Sequence, residues 1–257
     1  MSVLAPVLVT RPMADASIWV EQLRAQGLPA EALPLLQIVA VMTPDDLRSC
    51  WRRLPQFAAL MFVSGNAVEH FFSGWTGPWP ENVRCLAPGP GTGSRLRASG
   101  VPTQLIDEPA LDAPQFDSEA LWQVISHRPW MGRRVLLVRG RSEQAGAAPG
   151  RDWLAQQLQS QGAVVEAVCV YERRAVPMTE PLRQRMARAC VDGSLWLFSS
   201  SEAVGHLPSD LQWDRARALA THPRIAQAAR AIGFAQVLES RPALPEVIAS
   251  IKSAFHE

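Results

Sequence analysis

Hydrophobic and polar positions along the chain follow two patterns that recur in pairs. Stretches with the apolar spacing of an amphipathic helix end at a glycine, and a short apolar run typical of a buried strand follows. The four copies are EQLRAQG into LPAEALPLL, SRLRASG into VPTQLI, AQQLQSQG into AVVEAVCV, and AQAARAIG into FAQVLES. The terminal glycines, for which we predict a left-handed helix-ending conformation, are Gly27, Gly100, Gly162 and Gly233. Because helices and strands alternate, the pattern predicts an α/β fold with parallel sheets flanked by helices.

A longer repeat encloses the short one. VLVTRP from Val7 corresponds to VLLVRG from Val135, and FVSGNAVEHF from Phe62 corresponds to FSSSEAVGHL from Phe198. In the same way APGPGTGSRLRASG corresponds to ATHPRIAQAARAIG. The constant spacing of about 130 residues predicts two similar α/β halves that arose by duplication.

The predicted strand ends carry the candidate binding residues. In a parallel sheet, ligands bind where strands end and helices begin, because unpaired amides and the positive helix dipole meet there. Glycine and small hydroxyl residues expose these amides, so several such helix starts could hold several carboxylates or phosphates. The candidates are Thr10, Arg11, Ser64, Gly65, Asn66, Gly91, Thr92, Arg139, Gly140, Ser199, Ser200, Ser201 and Thr221.

Composition excludes several classes of function. The net charge of +1 and the lack of a basic run argue against a surface for nucleic acid. Lys252 is the only lysine, and its position fits neither a Schiff-base enzyme nor a Walker phosphate loop. The five histidines show no metal-hydrolase spacing, and the four cysteines form no CxxC pair. No segment has the pattern of a secretion signal or a membrane span, so we expect a cytoplasmic protein with neither a nucleic-acid nor a membrane partner.

The glycine cluster from Gly89 to Gly93 resembles part of a dinucleotide fingerprint but lacks its last glycine, because Ser94 stands at that position. The acidic residue expected at the end of the next strand is also missing, since Asp107 comes too early. A nucleotide-dependent oxidoreductase therefore remains only an alternative. Tyr171 is the only tyrosine, in VCVYERRAVP, and the sequence alone favours a phenol at a sheet edge with its hydroxyl group in water over a catalytic role.

In their order and spacing, VLVTRP, LMFVSGNAVEHFF, GPGTGSRLRASGV, VLLVRG, RDWLAQQLQSQGAVVEAVCVYER, LFSSSEAV and AARAIG resemble the uroporphyrinogen-III synthase family, from about Val7 to Ile251. The resemblance implies two α/β domains joined by two extended strands, with the active site in the cleft between them. One domain would comprise residues 1–40 plus 172–257, and the inserted one residues 42–170. The crossings would be LPLLQIVAV and CVYERRAVP.

The resemblance also implies an activity. The family cyclises hydroxymethylbilane, a linear tetrapyrrole with eight carboxylates, to uroporphyrinogen III with inversion of ring D and loss of water. It needs no cofactor and no metal, and it suggests a monomer. Tyr171 matches the family tyrosine proposed to assist departure of the hydroxyl group. The positions that match the family's cleft are Ser64, Gly65, Asn66, Gly91, Thr92, Ser199, Ser200 and Ser201.

Two segments depart from the family pattern. His222 to Ala226 stands where relatives have a GPxTA-like turn, so Arg224 either replaces the threonine contact or is exposed to solvent. The segment 142–150 is longer than usual, which makes the role of Arg139 uncertain. A noncatalytic two-domain protein that binds a small anion and an inactive member of the family remain alternatives.

Overall fold

The computed structural model describes residues 5–142 and 153–256. The elements in chain order are β1 (Val7–Val9), α1 (Met13–Ala25), β2 (Ala30–Ala32), β3 (Leu36–Ala40), α2 (Pro44–Arg52), β4 (Ala59–Phe62), α3 (Gly65–Phe71), β5 (Arg84–Leu86), α4 (Pro90–Ala98), β6 (Ile106–Asp107), α5 (Ser118–Ile125), β7 (Arg134–Ser142), α6 (Trp153–Ser160), β8 (Val164–Ala175), α7 (Glu180–Ala189), β9 (Leu195–Phe198), α8 (Ser201–Val204), β10 (Arg217–Ala220), α9 (Pro223–Ala231), β11 (Gln236–Glu239) and α10 (Leu244–His256). This order is the predicted alternation of helices and strands.

The chain divides into two compact units. The first unit comprises Met1–Gln37 and Arg174–Glu257, and the second comprises Ile38–Arg173. The boundaries fall inside β3 and β8, so two extended strands connect the units. Within the described residues, no helix is long and apolar enough to cross a membrane.

Each unit is built on its own sheet. In the first unit the strand order is β11-β10-β9-β1-β2, and all four pairings are parallel. In the second unit the order is β3-β8-β7-β4-β5-β6, with parallel pairings from β8 to β6. The predicted parallel sheets are therefore confirmed.

Both sheets are covered by helices on two faces, as successive strand residues show. On β1, Leu8 packs into one hydrophobic cluster, whereas Val7 and Val9 pack into another on the opposite face. On β4, Leu60 and Met61 likewise face different clusters. Because side chains alternate across a strand, two buried faces explain why these strands are continuously apolar.

The long sequence repeat is confirmed by the strand register. Val7 pairs with Leu195 in the first unit, and its repeat equivalent Val135 pairs with Ala59, the equivalent of Leu195, in the second. The strand order β11-β10-β9-β1-β2 thus corresponds to β6-β5-β4-β7-β8. Each unit therefore combines strands from both sequence repeats. The strands β1 and β2 of the first repeat share a sheet with β9, β10 and β11 of the second, and β7 and β8 of the second repeat share a sheet with β4, β5 and β6 of the first.

The glycines that end the four repeated helices have the predicted left-handed backbone. Their φ angles are +77° at Gly27, +89° at Gly100, +82° at Gly162 and +103° at Gly233. A side chain would strain the backbone at these positions, so glycine stops each helix and turns the chain into the following strand.

Candidate active site

Tyr171 lies in β8, where this strand pairs with the carboxyl-terminal part of β7. Its register partner is Gly140, and a β-bulge between Arg139 and Gly140 interrupts the regular ladder. Bulges re-aim the side chains next to them. The side chain of Tyr171 is only 2% exposed, so its ring and hydroxyl group are shielded from bulk water.

The phenol oxygen of Tyr171 has two side-chain partners. Ser64 Oγ lies 3.1 Å from Tyr171 Oη, and either hydroxyl group could be the donor. Arg173 Nη1 donates to the same oxygen over 3.4 Å, and the guanidinium carbon of Arg173 lies 5.9 Å from the ring centroid. The phenol is therefore held between a neutral hydroxyl group and a cation.

The ring of Tyr171 packs against Gly140 and His70. A Cβ atom at Gly140 would come within 2.2 Å of the ring carbon Cζ, so glycine is required for the ring to lie there. The imidazole of His70 stacks on the phenol ring, with centroids 5.7 Å apart and an interplanar angle of 26°. Burial lowers the pKa of His70, while the nearby charge of Glu69 acts in the opposite direction.

Ser64 is placed by the start of α3. It is the N-cap of this helix, and its Oγ accepts a hydrogen bond from the amide of Ala67 at 3.2 Å. The next residue, Gly65, makes room for Arg95, because a Cβ there would come within 2.6 Å of that side chain. Asn66 follows as the second residue of α3 and is partly buried.

The glycine cluster forms the start of α4. Gly89 is the N-cap, with φ of −179°, and needs no left-handed backbone. Its missing Cβ leaves room for Phe116, and that of Gly93 leaves room for the carboxylate of Glu108. Only Gly91 has open space where a side chain would extend, and Thr92 beside it is buried. Packing therefore explains why Gly89 and Gly93 are glycines. Only at Gly91 is the backbone open to the approach of a ligand.

In the first unit, Thr10 and Arg11 follow β1. The hydroxyl group of Thr10 is buried and donates to the carbonyl oxygen of Leu197 at 2.8 Å. Because its one hydrogen is engaged, Thr10 could only accept further hydrogen bonds through its side chain. Arg11 stacks on Trp19, with its guanidinium carbon 4.2 Å from the ring centroid. Burial lowers the pKa of Arg11, which Asp15 partly offsets.

The serines after β9 lie at a second candidate helix start of the first unit. Ser200 is the N-cap of α8, and its hydroxyl group accepts from the amide of Ala203 at 3.4 Å. Ser199 beside it is partly buried, and Ser201 is exposed at the first position of the short helix. The cap thus uses one acceptor position of the Ser200 hydroxyl group, and its hydrogen can still be donated to a ligand.

The segment after β10 contains the candidate Thr221 and the start of α9. Thr221 is buried, and its amide donates to the carbonyl oxygen of Phe198 at 3.1 Å. His222 caps α9 by accepting from the amide of Arg224 at 3.1 Å. Arg224 is exposed, so its side chain could meet either a substrate carboxylate or solvent, and both interpretations stay predictions.

Among the predicted site residues of the second unit, the structure brings Ser64 and Tyr171 into direct contact. Helices α3 and α4, which carry the other predicted site residues of this unit at their starts, pack against each other. Arg139 lies at the bulge of β7, one residue before Gly140. Most of the long segment 142–150 lies outside the described residues.

His70 and Arg173 were not among the residues predicted for the site, although both contact Tyr171. The contact between Arg173 and Tyr171 could have been predicted from the sequence, because residues two apart on a strand project to the same face. The stacking of His70 depends on how α3 packs over the sheet, and the sequence carries no signal for that. Among the described residues, no group of three or more His, Cys, Asp and Glu side chains could hold a metal ion.

Comparison with known proteins identifies relatives over most of the chain. The family model described as uroporphyrinogen-III synthase HemD matches residues 17–249. The uroporphyrinogen-III synthase of Synechococcus elongatus is 30% identical over 204 residues, covering 77% of this chain and 71% of that protein. That of Proteus mirabilis is 26% identical over 174 residues, covering 65% of this chain and 79% of that protein.

Two solved structures share the fold. A mutant uroporphyrinogen III synthase from Thermus thermophilus superposes with a TM-score of 0.60 at 16% identity, covering 98% of this chain and 99% of that one. Uroporphyrinogen-III synthetase from Helicobacter pylori also gives a TM-score of 0.60, at 15% identity and 99% coverage of both chains. A shared fold at such low identity does not by itself show membership of a family. The match to the family model and the identity to the relative from Synechococcus elongatus do show it, and the chain belongs to the uroporphyrinogen-III synthase family.

Proposed function

We propose that this chain catalyses the cyclisation of hydroxymethylbilane to uroporphyrinogen III, with inversion of ring D and release of water. It would thus be a cyclising lyase of tetrapyrrole and heme biosynthesis. The observation that carries the proposal is the family match over residues 17–249. Tyr171, the family's tyrosine by resemblance, is buried and hydrogen-bonded within that match.

The reaction asks the protein mainly to impose a conformation and to stabilise transient charge. Loss of the terminal hydroxyl group leaves an azafulvene, which must attack the substituted carbon of the last ring to form a spiro intermediate. In water, the substrate closes without inversion to the type I isomer. A shielded site favours the enzymatic course, because it holds the reacting atoms together and excludes competing reactions.

Tyr171 is the proposed catalytic residue. Its phenol would donate a hydrogen bond or a proton to the departing hydroxyl group, a role that positioned side chains fill in general acid catalysis. The partners of its oxygen, Ser64 and Arg173, support this role, because both can donate to an oxygen that is losing its proton.

The eight carboxylates of the substrate would be met by local sites. Arg11 and Arg139 offer cationic donors, and the start of α4 at Gly91 and Thr92 offers backbone amides. The remaining proposed substrate contacts are Thr10, Ser64, Gly65, Asn66, Ser199, Ser200, Ser201 and Thr221. That these residues act on one substrate in a cleft between the units, in a cytoplasmic monomer that needs no cofactor, stays a prediction.

The test is an anaerobic assay with freshly generated hydroxymethylbilane, followed by oxidation and chromatographic separation of the uroporphyrin isomers. We expect a large excess of the type III isomer over a reaction without protein. The type I isomer alone, from folded protein, would contradict the proposal and favour a noncatalytic anion-binding protein or an inactive relative.

Tyr171→Phe tests the catalytic residue in the same assay. The variant keeps the ring against Gly140 and His70 but removes the hydroxyl group. We expect the rate of type III formation to fall about 10²-fold or more, within the range for a lost general acid. A folded variant that turns over at the wild-type rate would remove Tyr171 from the mechanism.

A further inference from the structure

We propose that Arg173 is a positioning residue for Tyr171. Together with Ser64 it directs hydrogens onto the phenol oxygen, which frees the hydrogen of the phenol for the leaving hydroxyl group of the substrate. This inference rests on the proposed function and adds a residue that neither the strand-end pattern nor the family resemblance indicated.

The contact between Arg173 and Tyr171 has only one possible direction. Arg173 Nη1 lies 3.4 Å from Tyr171 Oη, which is long for a hydrogen bond, and the two side chains share one face of β8. A guanidinium group has donors and no acceptor, so the phenol oxygen must accept. Arg173 is buried, with 9% of its surface exposed, and its charge near the phenol is therefore weakly screened.

The hydrogen bond between Ser64 and Tyr171 can run in either of two directions. Its oxygen already accepts from the amide of Ala67, so its single hydrogen can point toward Tyr171 or away from it. If Tyr171 donates to Ser64, the phenol hydrogen is occupied. If Ser64 donates to Tyr171, the phenol oxygen accepts from both Ser64 and Arg173, and its own hydrogen can be given to the substrate.

In the second arrangement the proton moves from Tyr171 Oη to the hydroxyl oxygen of the substrate. The carbon–oxygen bond breaks, and its electron pair leaves with the oxygen as water. The substrate carbon becomes an azafulvene cation, and the phenolate accepts hydrogen bonds from Ser64 and the charged Arg173. Charge-assisted bonds of this kind are stronger than neutral ones. The proton that ring D loses at final ring closure restores the phenol, so the protein is unchanged after each turnover.

The first experiment is a double-mutant cycle in the isomer assay. In the wild-type background we expect Arg173→Met to lower kcat on the order of 10²-fold, with KM unchanged, because one donor to a developing oxyanion is lost. Arg173→Lys should recover part of that loss. In the Tyr171→Phe background, Arg173→Met should lower the residual rate no further, because the oxygen through which it acts is missing.

Arg141→Met is the matched control. Arg141 pairs with Glu172, the residue between Tyr171 and Arg173, over 2.9 Å, so its removal disturbs the same segment without touching the phenol. We expect it to leave kcat unchanged. Equal losses from Arg173→Met in both Tyr171 backgrounds would overturn the proposal and assign Arg173 a purely structural role. If Arg173→Met does not fold, Arg173→Lys replaces it in the same cycle, and equal losses overturn the proposal there too.

A second experiment does not depend on activity. Tyr171 is the only tyrosine, so the tyrosine Raman doublet of the whole protein reports whether this one phenol oxygen donates or accepts. We expect the doublet ratio to shift toward a donating phenol in Arg173→Met and by less in Arg173→Lys, whose ammonium group can still donate to the phenol oxygen, with Arg141→Met like the wild type. An unchanged doublet in both Arg173 variants would overturn the proposed contact. If wild-type protein makes only the type I isomer, the proposed function fails, while the doublet still decides whether Arg173 orients Tyr171.

Discussion

The Cα atom of Gly140 lies against the phenol end of Tyr171, its register partner on the neighbouring strand. A Cβ atom added to Gly140 would come within 2.2 Å of Cζ and 2.3 Å of Cε2, distances that real contacts never show. The position of Tyr171, the only tyrosine, therefore depends on the absence of a side chain at Gly140, the residue paired with it on β7. Gly140 thus determines where the proposed catalytic hydroxyl group lies.

Gly140→Ala should displace the ring of Tyr171 and disturb its contacts with Ser64 and Arg173. We expect kcat for type III formation to fall about 10²-fold, because small misplacements of reacting groups cost rates of this size. The matched control is Gly77→Ala, since a Cβ there meets only ordinary contacts at 3.4 Å and beyond. Wild-type turnover by folded Gly140→Ala protein would show that the phenol position does not matter.

Thr92→Val tests the start of α4 as a carboxylate site. The substitution keeps the buried volume at this position and removes the hydroxyl group. If that group holds a substrate carboxylate, KM should rise about tenfold with little change in kcat, because one charge-assisted hydrogen bond is lost. Steady-state kinetics measures this, with the exposed Thr103→Val as the control. An unchanged KM would leave Thr92 as a packing residue.

Arg11→Met tests the cationic site of the first unit. Methionine retains apolar contact with Trp19 but removes the charge and the donors. We expect KM for the polyanionic substrate to rise about tenfold, and the rise should shrink as salt is added, because ions screen such contacts. The control is Arg215→Met, an exposed arginine of the same unit. A KM equal to that of the control would exclude Arg11 as a substrate ligand.

His70 should make stability depend on pH. Burial lowers its pKa below the ordinary value of 6.5, so the unfolded chain takes up the proton at a higher pH than the folded protein does. The stability contributed by the neutral imidazole is therefore present above 6.5 and declines as the pH falls through that value toward the lowered pKa.

Thermal unfolding at about pH 7.5 and about pH 5.5 measures this effect. We expect the drop in Tm between the two conditions to be smaller in His70→Gln than in the wild type. His127→Gln, at an exposed position, serves as the control and should keep the wild-type drop. A wild-type drop in His70→Gln would mean that another group causes the pH dependence.

The glycine cluster shows where sequence analysis stops being specific. Its spacing indicated a helix start, and α4 begins there with Gly89 as the N-cap. The sequence alone did not distinguish glycines needed for a ligand from glycines needed for packing. Only the tertiary structure shows that Gly89 admits Phe116 and Gly93 admits Glu108, because both partners come from later in the chain.

Local pattern determined the elements and their repetition in this protein. The four helix-ending glycines have the predicted positive φ, and the two repeats pair their strands in equivalent registers, because helix stops and buried strands depend on short-range sterics and burial. The family resemblance likewise lay in the sequence, in the order of its motifs. The surroundings of Tyr171 could not be predicted from the sequence, since Ser64, His70 and Gly140 reach it through strand pairing and helix packing. Such contacts join distant segments, and only the tertiary structure decides which of them meet.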